Sequence, residues 1–156
     1  MKKYLVVLAS MLMVLAMAGG ASAGSKDGAI PVSATVATNC TISGGSIDFG
    51  TVDAVTDAGG KSATVIAPTI KCTKGASVAV TDDDGLYESG LNAPRMKNAG
   101  TDYLAYTVSY NASLTGQGMN TDIGNSLNLT ASLAAGALDD VPAGSYSDTL
   151  TITITY

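Results

Sequence analysis

Two cysteines, Cys40 and Cys72, are the side chains best suited to covalent chemistry in this sequence of 156 residues, which contains no histidine. In an exported protein, an even number of cysteines favours a disulfide bond. The alternative is a pair of metal ligands, but the sequence has no C-x-x-C pair and no imidazole to complete such a site. We therefore expect a Cys40–Cys72 disulfide, worth roughly 3–4 kcal/mol of stability, and neither a metal nor a cofactor.

A run of carboxylates, Asp82-Asp83-Asp84-Gly85, offers the oxygen ligands that calcium prefers. Three adjacent side chains cannot all point at one ion, however, and the spacing is not that of a known calcium loop. We interpret the run as a solvated turn. The pair Asp139-Asp140 has the same interpretation.

The means of activating a nucleophile are missing from the sequence. The predicted mature chain, residues 24–156, has no histidine, no Ser-x-x-Lys motif and no G-x-S-x-G motif. Paired carboxylates could act on glycosides, but here the acidic residues cluster in turns. We expect no catalytic residues and no enzyme activity.

The first 23 residues are predicted to be a secretory signal peptide, with Lys2 and Lys3, an apolar run, and the cleavage signal Ala21-Ser22-Ala23. Its removal leaves 133 residues, enough for one domain with a core. It also leaves six basic against thirteen acidic side chains, a formal charge of −7. Nucleic acid is therefore not an expected partner.

The elements that must position any site are predicted to be strands, because threonine, valine, isoleucine and glycine are abundant and no helical period is sustained. Turn signals separate short strands at regular spacing, which is typical of an immunoglobulin-like β-sandwich. The predicted strands cover residues 29–43, 46–52, 62–73, 76–81, 103–111, 126–134 and 145–156.

The first of these strands follows a polar, glycine-containing leader, and its residues up to 37 belong to an N-terminal extension at 24–37. Its apolar residues recur at every second position, so they share one face of a strand. Pro31 lacks an amide hydrogen and suits an added or edge strand better than a central one. The shared face consists of Ile30, Val32, Ala34 and Val36.

The C-terminal strand alternates in the same way, and we expect no further strand after it to cover its edge. Its core face is formed by Leu150, Ile152, Ile154 and Tyr156. We expect Tyr146 and Asp148 to shape the corner before this strand, as a corner tyrosine does in related sandwiches. A surplus strand at one end and a gap at the other predict strand addition between molecules, with the C-terminal strand as one wall of the acceptor groove. The alternation alone is equally compatible with insertion into the same molecule.

The sequence resembles the spore coat protein U domain family, which includes the major subunits of archaic chaperone–usher pili. The resemblance is carried by NCTISGGSIDFGTVD at 39–53, TIKCTKGASVAV at 69–80, RMKNAGTDYLAYTVSYNA at 95–112 and VPAGSYSDTLTITITY at 141–156.

This resemblance implies an incomplete immunoglobulin-like domain at 38–156 that contains a disulfide and assembles by donor-strand exchange. It implies export through the periplasm with a chaperone and an outer-membrane usher. The implied product is an extracellular pilus, built from neighbouring copies of the chain with a tip adhesin subunit, that supports adhesion and biofilm formation. The alternatives are a carbohydrate-binding tip adhesin and a self-complemented secreted coat protein.

Overall fold

The structure is a computed structural model that describes residues 23–156. The predicted signal peptide therefore lies outside the described residues, except for Ala23. The chain divides into two units, one that ends at Thr35 and one that comprises Val36–Tyr156. In the first unit, residues 23–35 contain no helix or strand. No helix among the described residues has the length and apolar character needed to cross a membrane.

The unit Val36–Tyr156 contains twelve short strands and one 3-10 helix at Gly124–Leu127. The strands are β1 (Cys40–Ser43), β2 (Ser46–Asp48), β3 (Lys61–Ser62), β4 (Thr64–Ile66), β5 (Thr69–Cys72), β6 (Ser77–Asp82), β7 (Arg95–Lys97), β8 (Tyr103–Ala105), β9 (Thr107–Ser109), β10 (Ser113–Thr115), β11 (Thr130–Leu133) and β12 (Ile152–Thr155).

All strand pairs in this unit are antiparallel. The sheets have the orders β1-β5, β2-β4, β7-β8, β10-β6-β12 and β3-β11-β9. Strand β1 pairs with β5, and β2 pairs with β4. The segment that contains β1 and β2 therefore lies along the segment between Thr64 and Cys72. The expected fold class, an all-β sandwich, is confirmed, whereas the donated strand stays a prediction.

The buried side chains form two hydrophobic clusters rather than one. The first cluster surrounds the fully buried Ile70, Val78 and Leu127. The second surrounds Leu104 and Tyr106. A domain usually has one contiguous hydrophobic core, so two separate clusters are unusual in a unit of this size.

Several predicted strand boundaries are wrong. No strand is formed at 29–39, the predicted strand 62–73 is split into β3, β4 and β5, and β7 and β10 were not predicted. The predicted strand at 126–134 overlaps the 3-10 helix, which ends where Asn128 adopts a left-handed conformation with φ of 51°. Strand β7 has charged side chains at alternate positions, and Arg95 lies over the Tyr103 ring, 4.3 Å from its centroid.

The predicted disulfide is confirmed: Cys40 is bonded to Cys72 across the β1–β5 pair, with 4.1 Å between the Cα atoms. The opposite edge of β5 is covered by the loop that follows β10. There the backbone N–H of Gly118 donates to the carbonyl of Cys72, and that of Ile123 donates to the carbonyl of Ile70. The disulfide therefore joins the first strand to a strand that is held on both sides.

Candidate functional site

An open groove of about 1160 Å³ lies within the unit Val36–Tyr156, between residues 42–54 and residues 141–152. We call residues 42–54 the first wall and residues 141–152 the second wall. The groove touches side chains from both hydrophobic clusters, and most of its large side chains are apolar. They are Ile42, Ile47, Phe49, Val52, Met96, Leu104, Tyr106, Leu129, Leu138, Val141, Tyr146, Leu150 and Ile152.

The second wall has one paired edge and one open edge. Ser147 exchanges two backbone hydrogen bonds with Lys97, at 2.9 and 3.0 Å. The backbone N–H of Thr151 donates to the Asp83 carboxylate at 2.8 Å. Successive residues of an extended chain direct their backbone groups to opposite edges. Because Ser147 and Thr151 bond the paired edge, the even-numbered residues of this segment direct their backbone groups toward the groove. These residues are Tyr146, Asp148, Leu150 and Ile152.

The first wall presents its backbone in a similar way. Asn39 and Thr73 form a hydrogen-bonded pair at the end of the β1–β5 ladder, because the N–H of Thr73 donates to the carbonyl of Asn39. By the same alternation, Ile42 directs its backbone groups away from β5 and toward the groove. The wall is interrupted between β1 and β2 by Gly44 and Gly45, whose φ angles are 70° and 98°.

A tyrosine corner fixes the start of the second wall. The Tyr146 hydroxyl donates a hydrogen bond to the carbonyl of Pro142 at 2.8 Å. The prediction that Tyr146 shapes this corner by bonding nearby backbone is thereby confirmed.

A polar pair lies in the middle of the groove. The buried Tyr106 donates its hydroxyl proton to Asp148 at 2.7 Å. Burial, followed by the hydrogen bond to Asp148, raises the pKa of Tyr106 well above its ordinary value. The Asp148 carboxylate also accepts the backbone N–H of Leu86 at 3.0 Å. This carboxylate is therefore held in place by two donors from its own domain.

The four residues predicted to form an acceptor strand do not all lie at the groove. Leu150 and Ile152 line it. Ile154 packs against the first hydrophobic cluster, and Tyr156 is 54% exposed. The groove is thus displaced toward the N-terminal half of the predicted strand.

Sequence reasoning missed the first wall as a groove surface, although its apolar residues are visible in the sequence. Ile47 and Phe49 share one face, whereas Ile42 and Ile47 are five residues apart, an odd spacing that would place them on opposite faces of a regular strand. The glycine pair between them shifts the phase of the strand, so the row of apolar side chains is not a simple alternation. The phase shift itself was the available signal.

The four apolar residues of the predicted donor strand are exposed. Ile30, Val32 and Val36 are 85%, 93% and 82% exposed, and Ala34 is exposed as well. Isolated exposed apolar residues are common, but a contiguous row of them marks an interaction surface. We call residues 30–36 the donor segment.

The aspartates of the run 82–84 have separate partners. Asp82 accepts a hydrogen bond from the Tyr110 hydroxyl at 2.9 Å, and Asp84 accepts one from the backbone N–H of Asn92 at 3.1 Å. Asp83 binds the N–H groups of Gly85 and Thr151. No group of three metal-ligating side chains occurs among residues 23–156. The run begins at the end of β6 and continues as an irregular loop rather than as the predicted solvated turn, and its carboxylates bind the protein.

The family model of the Spore Coat Protein U domain matches residues 26–153, which is most of the chain. The chain belongs to this family. The match includes the donor segment as well as both walls of the groove. The comparison of this chain with curated proteins gave no match.

Among solved structures, this Spore Coat Protein U domain is similar to the complex of the chaperone CsuC with the tip adhesion subunit CsuE. That structure is a pre-assembly complex from the archaic chaperone–usher Csu pili of Acinetobacter baumannii. The match is 23% identical with a TM-score of 0.49, and it covers 78% of this chain and 40% of that chain. This chain thus spans less than half the length of its structural neighbour.

Proposed function

We propose that the protein is a structural subunit of a chaperone–usher pilus that polymerises by donor-strand exchange. The donor segment of one copy occupies the groove of the next, between the first and second walls. Backbone hydrogen bonds then supply affinity, and alternate side chains that enter the groove supply specificity.

The observation that carries this proposal is the match between an open apolar groove and an exposed apolar strand sequence in the same chain. Ser147 and Thr151 bond the edge of the second wall that faces away from the groove, so by strand alternation we infer that the backbone groups of four residues face the groove. Ile30, Val32 and Val36 each contribute about 1.5–3 kcal/mol when fully buried. A strand inserted there would also join the two hydrophobic clusters into one core.

The remaining expectations follow from this assembly. Export would proceed through the periplasm with a chaperone that covers the groove and an outer-membrane usher that receives the subunit. The extracellular filament, ended by a tip adhesin subunit, would support adhesion and biofilm formation.

The test compares Val32→Asp with Ser33→Asp in the full chain, expressed with its chaperone and usher. Val32 belongs to the apolar row of the donor segment, whereas Ser33 belongs to its opposite face. We expect Val32→Asp to abolish filaments in electron micrographs, because a charge would enter an apolar groove, and Ser33→Asp to retain them. Normal filaments from Val32→Asp, or a purely monomeric wild-type product, would refute the proposal.

A further inference from the structure

The donor segment and the second wall have matching rows of side chains. Each row contains four residues at alternate positions, and each spans about 20 Å. The rows are Ile30, Val32, Ala34 and Val36 in the donor segment, and Tyr146, Asp148, Leu150 and Ile152 in the wall. A strand of this length can pair with the wall in either direction and in more than one register.

Asp148 is the polar member of the wall row. Each of its carboxylate oxygens already accepts one hydrogen bond, from the Tyr106 hydroxyl at 2.7 Å and from the Leu86 N–H at 3.0 Å. The occupant of the groove therefore need not donate a hydrogen bond at this position. A bulky aliphatic side chain packed over the carboxylate would remove water from a charge, which is unfavourable. The position suits the smallest residue of the donor row, which is Ala34.

On the basis of the proposed function, we propose that the Tyr106–Asp148 pair sets the register of the donated strand, because Ala34 is the donor residue that packs against it. This placement puts Val32 beside Leu150, Ile30 beside Ile152 and Val36 beside Tyr146. The donor segment then runs antiparallel to the second wall. In the opposite direction, with the rows fully overlapped, Val32 would pack on the Asp148 carboxylate.

Pro31 supports the same direction independently. In an antiparallel pair, the donor residues with inward side chains bond the second wall, and Pro31 faces the first wall. Pro31 then lies at the end of the groove that is lined by Ile42 and Ile152, which both pack against the first cluster, and Gly44 and Gly45 interrupt the strand two residues after Ile42. In a parallel pair the edges are exchanged, and Pro31 would leave a carbonyl of the second wall without an N–H donor. The antiparallel register therefore places the missing N–H where the ladder is already interrupted.

Cysteine pairs on the outward face measure the register directly. In the proposed register Thr35 lies opposite Ser147, as a pair whose Cα atoms are about 4.5 Å apart, a spacing within disulfide range. The full chain is produced with its chaperone and usher in three forms. They are Thr35→Cys with Ser147→Cys, Thr35→Cys with Thr149→Cys, and Thr35→Cys with Thr151→Cys; all four positions are exposed.

We expect a ladder of cross-linked copies on non-reducing gels from the Ser147 form only. A ladder from the Thr149 or Thr151 form instead would overturn the register and leave the proposed function intact. Absence of intermolecular cross-links in all three forms would overturn the register, and electron micrographs of the same material would test the proposed function separately: absence of filaments would overturn it as well. An intramolecular cross-link, seen as a monomer with altered mobility, would indicate self-insertion and would also overturn both.

A composition-preserving exchange tests the role of Ala34. The double variant Val32→Ala with Ala34→Val keeps the atoms of the donor row but places valine at Asp148. We expect the yield of polymer to fall about tenfold or more, because overpacking and desolvation oppose insertion. The matched control exchanges Ser33 and Thr35 on the outward face and should leave the yield unchanged. Equal yields from the two exchanges would refute a register set at the Tyr106–Asp148 pair.

Discussion

The carboxylate of Asp83 accepts the backbone N–H of Thr151 at 2.8 Å, across 68 positions of sequence. The bond continues the pairing of the second wall at the point where β6 ends and no backbone partner is present. A side-chain carboxylate therefore replaces the backbone acceptor of a neighbouring strand and fixes the position of the second wall.

Replacing Asp83 with alanine should lower the free energy of unfolding by about 0.5–1 kcal/mol, since the lost hydrogen bond is solvent-exposed. Chemical denaturation of the chain measures this loss. Asp140→Ala, in an exposed turn, is the control and should leave stability unchanged. Equal midpoints for the two variants would contradict the role assigned to Asp83.

The same bond predicts a dependence on pH. The N–H of Thr151, the largest contributor, holds the pKa of Asp83 below its ordinary value of 3.8. A depressed pKa stabilises the folded state above about pH 3.8, and the contribution is lost as the pH falls through the folded pKa. The difference in stability between the wild type and Asp83→Ala should therefore be constant near neutral pH and shrink below about pH 3.8. A difference that persists unchanged in acid would show that the charge is not involved.

Tyr146→Phe should remove the hydrogen bond to Pro142 while retaining the aromatic ring in the second cluster. The expected loss is about 1 kcal/mol of unfolding free energy. Tyr156→Phe changes the same atom on an exposed ring and is expected to have no effect. If both variants melted at the wild-type temperature, the corner would not contribute to stability.

Replacement of Cys40 and Cys72 by alanine should lower stability by roughly 3–4 kcal/mol, for a closed loop with a sequence separation of 32. Thermal unfolding of the wild type with and without reductant gives the same comparison. A mass spectrum with two free thiols in periplasmic material would rule out the bond in the exported protein.

Deletion of residues 24–36 should yield a chain that is soluble only with its chaperone, because the groove then has no donor. A synthetic peptide that spans residues 28–38, present while the domain is released from its chaperone, should keep the domain soluble by filling the groove. The same peptide with Val32→Asp should not. A deletion variant that is a stable monomer with unchanged melting would mean that the domain needs no donated strand.

The sequence was sufficient for the fold class and the tyrosine corner, which depend on local patterns, and for the disulfide, because two cysteines allow only one intramolecular pair. Alternation predicts Leu150 and Ile152 on one face of the C-terminal strand, and both residues line the groove. The first wall was missed because Gly44 and Gly45 change the phase of its strand. The 3-10 helix was missed because Leu127 is as apolar as a strand residue, and only long-range packing decides its backbone.

The Tyr106–Asp148 pair could not be predicted, since 42 positions separate two residues that meet across the groove. The partners of Asp82 and Asp83 were missed for the same reason. A turn rich in carboxylates indicates exposure to water, but the sequence does not say which distant N–H or hydroxyl will reach it. Long-range polar contacts of this kind depend on the fold being complete.

The position of the disulfide has a mechanical consequence for a filament assembled as proposed. Three residues separate Val36, the end of the donor segment, from Cys40, so tension along the fibre enters each domain at its first strand. A first strand held by hydrogen bonds alone would separate from its neighbours under such a load. The covalent link passes the force at once to Cys72, which is fully buried in a strand held on both sides. The weakest point under traction is then moved out of the domain and into the joint between copies.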